Sequence, residues 1–225
     1  MSTLHKGALA LVCTVPIALA TVSPAQAGDR WTYRSSGASL FSTWVEVGTL
    51  NGIAGNVHTG ELSADVERDE VYGSVVDWTC PEGELPPYGG GHGEHAAYEE
   101  EPETNCVVES VRELFAGDAL VDVTMDRKLE RASITGNLVV ADHEGGATGQ
   151  PAVDMTFTGV GTTFSSTTYE SGTDGDYSYT YRTTRSTRQA SVDGAIGAMG
   201  FTDDADDIST GEMTRYRTSE RGSSR

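Results

Sequence analysis

Two histidines three residues apart, His92 and His95, bracket Glu94 in a run of glycines and carboxylates, Gly89-Gly90-Gly91-His92-Gly93-Glu94-His95. Imidazole nitrogens beside a carboxylate are a donor set for Zn²⁺. Such a site also needs neighbours that hold the rings in place. Three consecutive glycines, with Pro86 and Pro87 just upstream, offer none, and a solvated acidic loop accounts for the same residues. Ca²⁺ is the other cation the composition suggests, through Asp203, Asp204, Asp206 and Asp207 or through Asp174 and Asp176. Neither group has the twelve-residue spacing with a closing Glu that defines a calcium loop.

Cys80 and Cys106 flank the Gly- and Glu-rich loop at 81–105, and beyond residue 27 the chain has no other cysteine. In an oxidising compartment the two are expected to form a disulfide that closes the loop at its base. Tyr177, Tyr179 and Tyr181 alternate with Ser178, Thr180 and Arg182, which puts three rings on one face of a strand. Facing water, the row is a platform on which sugars stack. Facing inward, it is core packing, the reading favoured by the lack of any other apolar residue in that strand to bury.

No Ser nucleophile elbow, zinc-protease helix or phosphate-binding loop occurs in the sequence. Paired carboxylates of the glycosidase kind cannot be picked from 34 acidic residues, because so many pairs exist. His58 lies on an expected strand and reads as a structural residue. No catalytic residue is assigned.

The elements that must position these groups are strands. Apolar and polar residues alternate in 61–67, 119–125, 132–140, 153–158 and 190–196, the pattern of antiparallel strands with one buried face. Further strands are expected at 39–47, 71–80, 105–114, 162–169, 177–184 and 213–218, separated by turns such as Asn51-Gly52 and Asp174-Gly175-Asp176. The fold class is therefore all-β, an antiparallel meander of about ten strands with barrel-like closure. A two-sheet β-sandwich is the alternative. The segments 132–138 and 190–196 resemble each other, and Gly136 and Gly194 are expected to mark bends in a coiling sheet.

Residues 1–27 read as a signal peptide: Lys6, then a short apolar run, then Ala25-Gln26-Ala27 as the cleavage pattern. Residues 28–225 would then form a single domain, with 34 acids against 14 bases. Lys is almost absent after the leader, a bias expected of a high-GC bacterial genome, and the acidity is equally a mark of salt adaptation. So negative a chain is not expected to bind nucleic acid, nor a membrane once the leader is removed. The expected function is that of a secreted, non-catalytic binding or interaction module for an extracellular protein or glycan, with no resident cofactor. The alternatives are an extracellular polysaccharide-acting hydrolase and a small-ligand carrier barrel.

Overall fold

The computed structural model describes residues 30–50, 52–86, 104–141, 146–201 and 208–224. The expected leader, the His92, Glu94 and His95 triplet and the acidic run at 203–207 lie outside the described residues. The chain is all-β, with thirteen strands among the described residues, all in one sheet. In chain order they are β1 (Arg30–Val47), β2 (Val57–Asp65), β3 (Glu70–Thr79), β4 (Val107–Ala116), β5 (Val121–Met125), β6 (Arg131–Asn137) and β7 (Val139–Ala141). There follow β8 (Ala147–Gly149), β9 (Ala152–Gly159), β10 (Phe164–Asp174), β11 (Tyr177–Ile196), β12 (Met199–Phe201) and β13 (Ile208–Ser224).

Every pairing is antiparallel, in the order β5-β6-β9-β11-β13-β1-β2-β3-β4-β7-β8, with β10 and β12 also beside β11. Chain connectivity explains why this sheet must curl. Residues 117–120 alone lead from β4 to β5, which sits at the far end of the strand order, and Leu138 alone leads from β6 back to β7. Four extended residues reach at most about 14 Å, far less than the width of so many flat strands. The sheet therefore curls into a half-barrel that brings its two ends together. Across the gap the Val123 N–H donates to Asp69 Oδ1 at 2.8 Å. The sandwich alternative does not form, because the strands share one sheet.

The alternating residues point into this curl. Leu40 and Trp44 of β1, Leu62 of β2, Val71 and Val75 of β3, Leu114 of β4 and Val121 and Val123 of β5 are all buried in one cluster. Ile134, Met155, Phe157, Val192 and Met213 complete it from the other strands. Burying each such side chain contributes roughly 1.5–3 kcal/mol, and this interior is the main source of stability. Gly136 and Gly194, at φ +134° and +137°, sit where a Cβ would lie 2.1 Å and 1.9 Å from the carbonyl oxygens of Leu120 and Asp154. Only glycine permits both that backbone and that approach, so the two similar segments share one local geometry.

A smaller cluster on the outer face joins Val45, Val57 and Cys80, with Trp78 and Cys106 packed against it. Cys80 and Cys106 form a disulfide over a separation of 26 residues, worth about 3.5 kcal/mol by chain entropy. Asn56 clamps the same corner, its amide oxygen accepting from Cys80 N at 2.8 Å and its amide nitrogen donating to Cys80 O at 2.9 Å.

Three strands run longer than their apolar patterns indicate. β1 starts at Arg30 rather than at 39, β11 fuses the expected strands 177–184 and 190–196, and β13 runs from Ile208 to Ser224. In each, the extra half is rich in Ser, Thr, Tyr and Arg and reaches past the core. With β10 these halves make a four-stranded ribbon in the order β10-β11-β13-β1. Its stability comes from ladder hydrogen bonds and cross-strand hydroxyl pairs, among them Ser178 with Ser223 at 2.9 Å and Thr187 with Thr214 at 3.1 Å.

Candidate functional site

Because directly opposed residues in an antiparallel pair share a face, the registers specify what each side of the ribbon presents. On the outer face, Tyr179 opposes Gly222, which opposes Trp31, and one step on Tyr181 opposes Glu220, which opposes Tyr33. Tyr177 and Tyr216 belong to the same face. Three rings lie over glycines: a Cβ on Gly222 would be 2.2 Å from the Trp31 indole, one on Gly37 2.2 Å from the Tyr216 ring, and one on Gly172 2.7 Å from the Tyr179 hydroxyl. The absent side chain there makes room for an aromatic plane across the neighbouring strand.

The row of Tyr177, Tyr179 and Tyr181 is therefore not core packing, and the inward reading is corrected. The buried cluster uses the opposite face of β11, through Ala190, Val192 and Ile196, and ends before the tyrosines begin. Tyr177 is 50%, Tyr33 48% and Tyr216 40% exposed, while Tyr179 and Tyr181 are half-buried among their neighbours. Burial, followed by the carboxylates of Asp65 and Glu67, raises the pKa of the Tyr216 phenol above its usual value, so it stays a neutral hydroxyl.

A second polar group lies on the inner face at the other end of the half-barrel. His58 of β2 opposes Asp77 of β3, and Asp77 opposes Ser110 of β4. Glu46 of β1 continues the row from the other side of His58. A β-bulge between Asp77 and Trp78 adds one residue to β4, and it ends the regular register just where this row sits. His58 Nδ1–H donates to Asp77 Oδ1 at 2.8 Å, since a carboxylate only accepts. Arg112 Nη2 donates to the same oxygen at 2.6 Å, and the Ser110 hydroxyl donates to Oδ2. His58 and Asp77 are 0% and 1% exposed. His58 Nε2 and Arg112 Nε have no hydrogen-bond partner in this arrangement.

Chemically this is a buried ion pair with a histidine leaning on its carboxylate. An oriented imidazole with an unpaired Nε2 is half of what a base or a metal ligand needs, and Glu46 is the neighbouring carboxylate in its row. No group of three or more His, Cys, Asp or Glu side chains gathers at metal-binding distance among the described residues. Asp174 ends β10, and Asp176 lies in the exposed turn that leads to β11. Alternation alone indicated that His58 was structural, but not that Asp77, Ser110 and Arg112 would meet it. Their signal was faint: a lone acid amid the apolar 71–80 and a lone Arg in 105–114.

The interior of the half-barrel is filled by Trp44, Phe157, Leu62 and their neighbours. Among the described residues, concavities open on the surface instead. One of about 470 Å³ lies beside the β5–β6 hairpin, against Met125, Arg131 and Thr156. Another, about 220 Å³, lies on the ribbon between Arg30 and Arg221. In the comparisons with known proteins, no family model, no curated protein and no solved structure matches the chain.

Proposed function

We propose that the chain is an exported, non-catalytic binding module that takes an extracellular glycan on the outer face of its projecting ribbon. The observation that carries this reading is the aromatic surface of Tyr177, Tyr179, Tyr181, Tyr33 and Trp31 on a stretch of sheet over which no layer packs among the described residues. Flat rings with polar tips stack on the apolar faces of sugars while their hydroxyls stay hydrated. Two further features support the reading. The Cys80–Cys106 disulfide is compatible with an oxidising, extracellular compartment, and the buried His58–Asp77 pair is wrapped too tightly to meet a substrate.

Retention of the purified chain on a panel of insoluble polysaccharides (cellulose, chitin, xylan and starch) tests the idea. At least one is expected to retain the chain, and Tyr33→Ala with Tyr177→Ala is expected to weaken retention at least tenfold. Retention on none, or retention indifferent to both substitutions, would remove the reading.

A further inference from the structure

The inner face of the same ribbon has a different chemistry. Arg34 of β1 and Arg182 of β11 both oppose Ser219 of β13, one from each side. Arg217 and Arg221 share a face with Ser219 on β13 itself, two residues before and after it. Four guanidinium stems thus surround one serine, and Arg30 adds a fifth at the ribbon end, opposite Ser223. Neighbouring strands are ~4.8 Å apart and same-face residues on one strand ~6.7 Å apart, so these charges lie within about one Debye length of one another.

None of the five has an ion pair or side-chain hydrogen bond among the described residues, and the acids of the ribbon, Glu170, Asp174 and Glu220, all fall on the outer face. Arg188 and Arg215 continue the inner row toward the core. Nearly half the 15 basic residues of a chain with net charge −19 therefore crowd onto one acid-free strip. Like charges so placed repel each other, and a bound polyanion would relieve that repulsion more fully than mobile salt ions do.

The rest of the strip specifies the kind of anion. Between the arginines lie hydroxyls: Ser36, Thr184 and Thr167 in one row, Thr32, Thr180 and Ser171 in another. The surface depression between Arg30 and Arg221 is floored by Ser178, Thr180 and Ser223. Forked guanidinium groups match carboxylates and sulfates, and Ser and Thr hydroxyls give and accept hydrogen bonds as sugar hydroxyls require. Bases have little to stack on, since Tyr169 is the one aromatic side chain among the rows of this face. A duplex of dense phosphate charge is also opposed by the net −19 of the whole chain. Apart from the Tyr169 ring, the strip offers no apolar side chain to insert into a lipid surface.

We propose that the inner face of the ribbon binds an anionic polysaccharide, its carboxylates or sulfates held by Arg34, Arg182, Arg217 and Arg221 and its hydroxyls by the intervening Ser and Thr. This face is distinct from the aromatic one and stands or falls by separate substitutions.

The test is binding of the purified full-length chain to polygalacturonate, dextran sulfate, neutral dextran, a 20-base-pair DNA duplex and anionic phosphatidylglycerol vesicles, at 50 and 200 mM salt. Polygalacturonate or dextran sulfate is expected to bind, more weakly at 200 mM salt, and neutral dextran is not. Arg182→Gln with Arg217→Gln should weaken that binding at least tenfold, while Tyr33→Ala with Tyr177→Ala leaves it within twofold. Because the replaced residues are exposed and Gln fits a strand, an unchanged thermal midpoint shows that the variant folds. Arg182→Lys with Arg217→Lys, which keeps charge and loses the forks, should fall between. Absence of binding to both polyanions, equal binding by neutral dextran, tighter binding by the duplex or the vesicles, or indifference to the Gln variant each overturns the proposal.

Discussion

Replacing Asp77 by Ala is the sharpest perturbation available in this fold. The carboxylate is buried and accepts from three donors: His58 Nδ1 at 2.8 Å, Arg112 Nη2 at 2.6 Å and the Ser110 hydroxyl. Ala removes the acceptor but leaves the donors. Breaking a buried pair by deleting one partner costs about 3–5 kcal/mol, because a charge remains uncompensated in a dry site. The Arg112 side chain keeps 23% of its exposure and so recovers part of its hydration. The His58 side chain is at 0%, and stranding its Nδ1–H adds about 1–3 kcal/mol. Together these put the loss at about 4 kcal/mol. With a urea slope of about 2 kcal/mol per M, that lowers the unfolding midpoint by about 2 M. Asp77→Asn, which keeps one acceptor oxygen, should lose about half as much. Combining Asp77→Ala with Arg112→Met should cost less than the two single changes added together, since the second change removes the stranded cation. Urea unfolding followed by tryptophan fluorescence measures the natural chain and all four variants. A loss below about 1 kcal/mol for Asp77→Ala, or strict additivity with Arg112→Met, refutes the ion-pair account.

Two further outcomes follow from backbone geometry. Gly136→Ala combines φ +134° with a Cβ 2.1 Å from Leu120 O, so it should cost more than about 2 kcal/mol, whereas Gly117→Ala, with open space around it, should stay within about 0.5 kcal/mol; equal urea midpoints for the two variants would contradict this. The Asp126 carboxylate accepts from the N–H groups of Lys128 at 2.7 Å, Glu130 at 3.1 Å and Arg131 at 2.5 Å in the β5–β6 turn. Burial pushes its pKa up, but those amides and that of Leu129 outweigh it and hold the group below the usual aspartate value. A depressed folded pKa stabilises above the unfolded value and loses that contribution as pH falls through the folded one. The gap in urea midpoint between the natural chain and Asp126→Asn should therefore be widest near neutral pH and shrink below about pH 4; a gap that does not change with pH would show that the amides do not hold the ionised form.

The amino-acid order by itself determined the strands and their faces. Leu62, Val121, Ile134 and Val192 recur every second residue among polar neighbours, and a two-residue side-chain period then specifies which face is buried, whatever the partner strand. It likewise indicated the Cys80–Cys106 pairing and the two glycine bends. Periodicity is silent about register and about which strands lie side by side, and those the folded sheet alone decided. The polar halves of β1, β11 and β13 have no apolar residues to mark a buried face. They are strands because each gives its neighbours a ladder, with Arg30 opposite Ser223 and Ser178 opposite Ser223 across chain separations that no local pattern encodes. The same pairing turned Tyr177, Tyr179 and Tyr181 outward beside Trp31 and Tyr33, brought Arg34, Arg182 and Arg217 around one serine, and set His58, Asp77 and Ser110 in one row. Residues far apart in sequence meet only when hydrogen-bond register fixes them at strand spacing, and that register comes from the closure of the whole sheet rather than from any one segment.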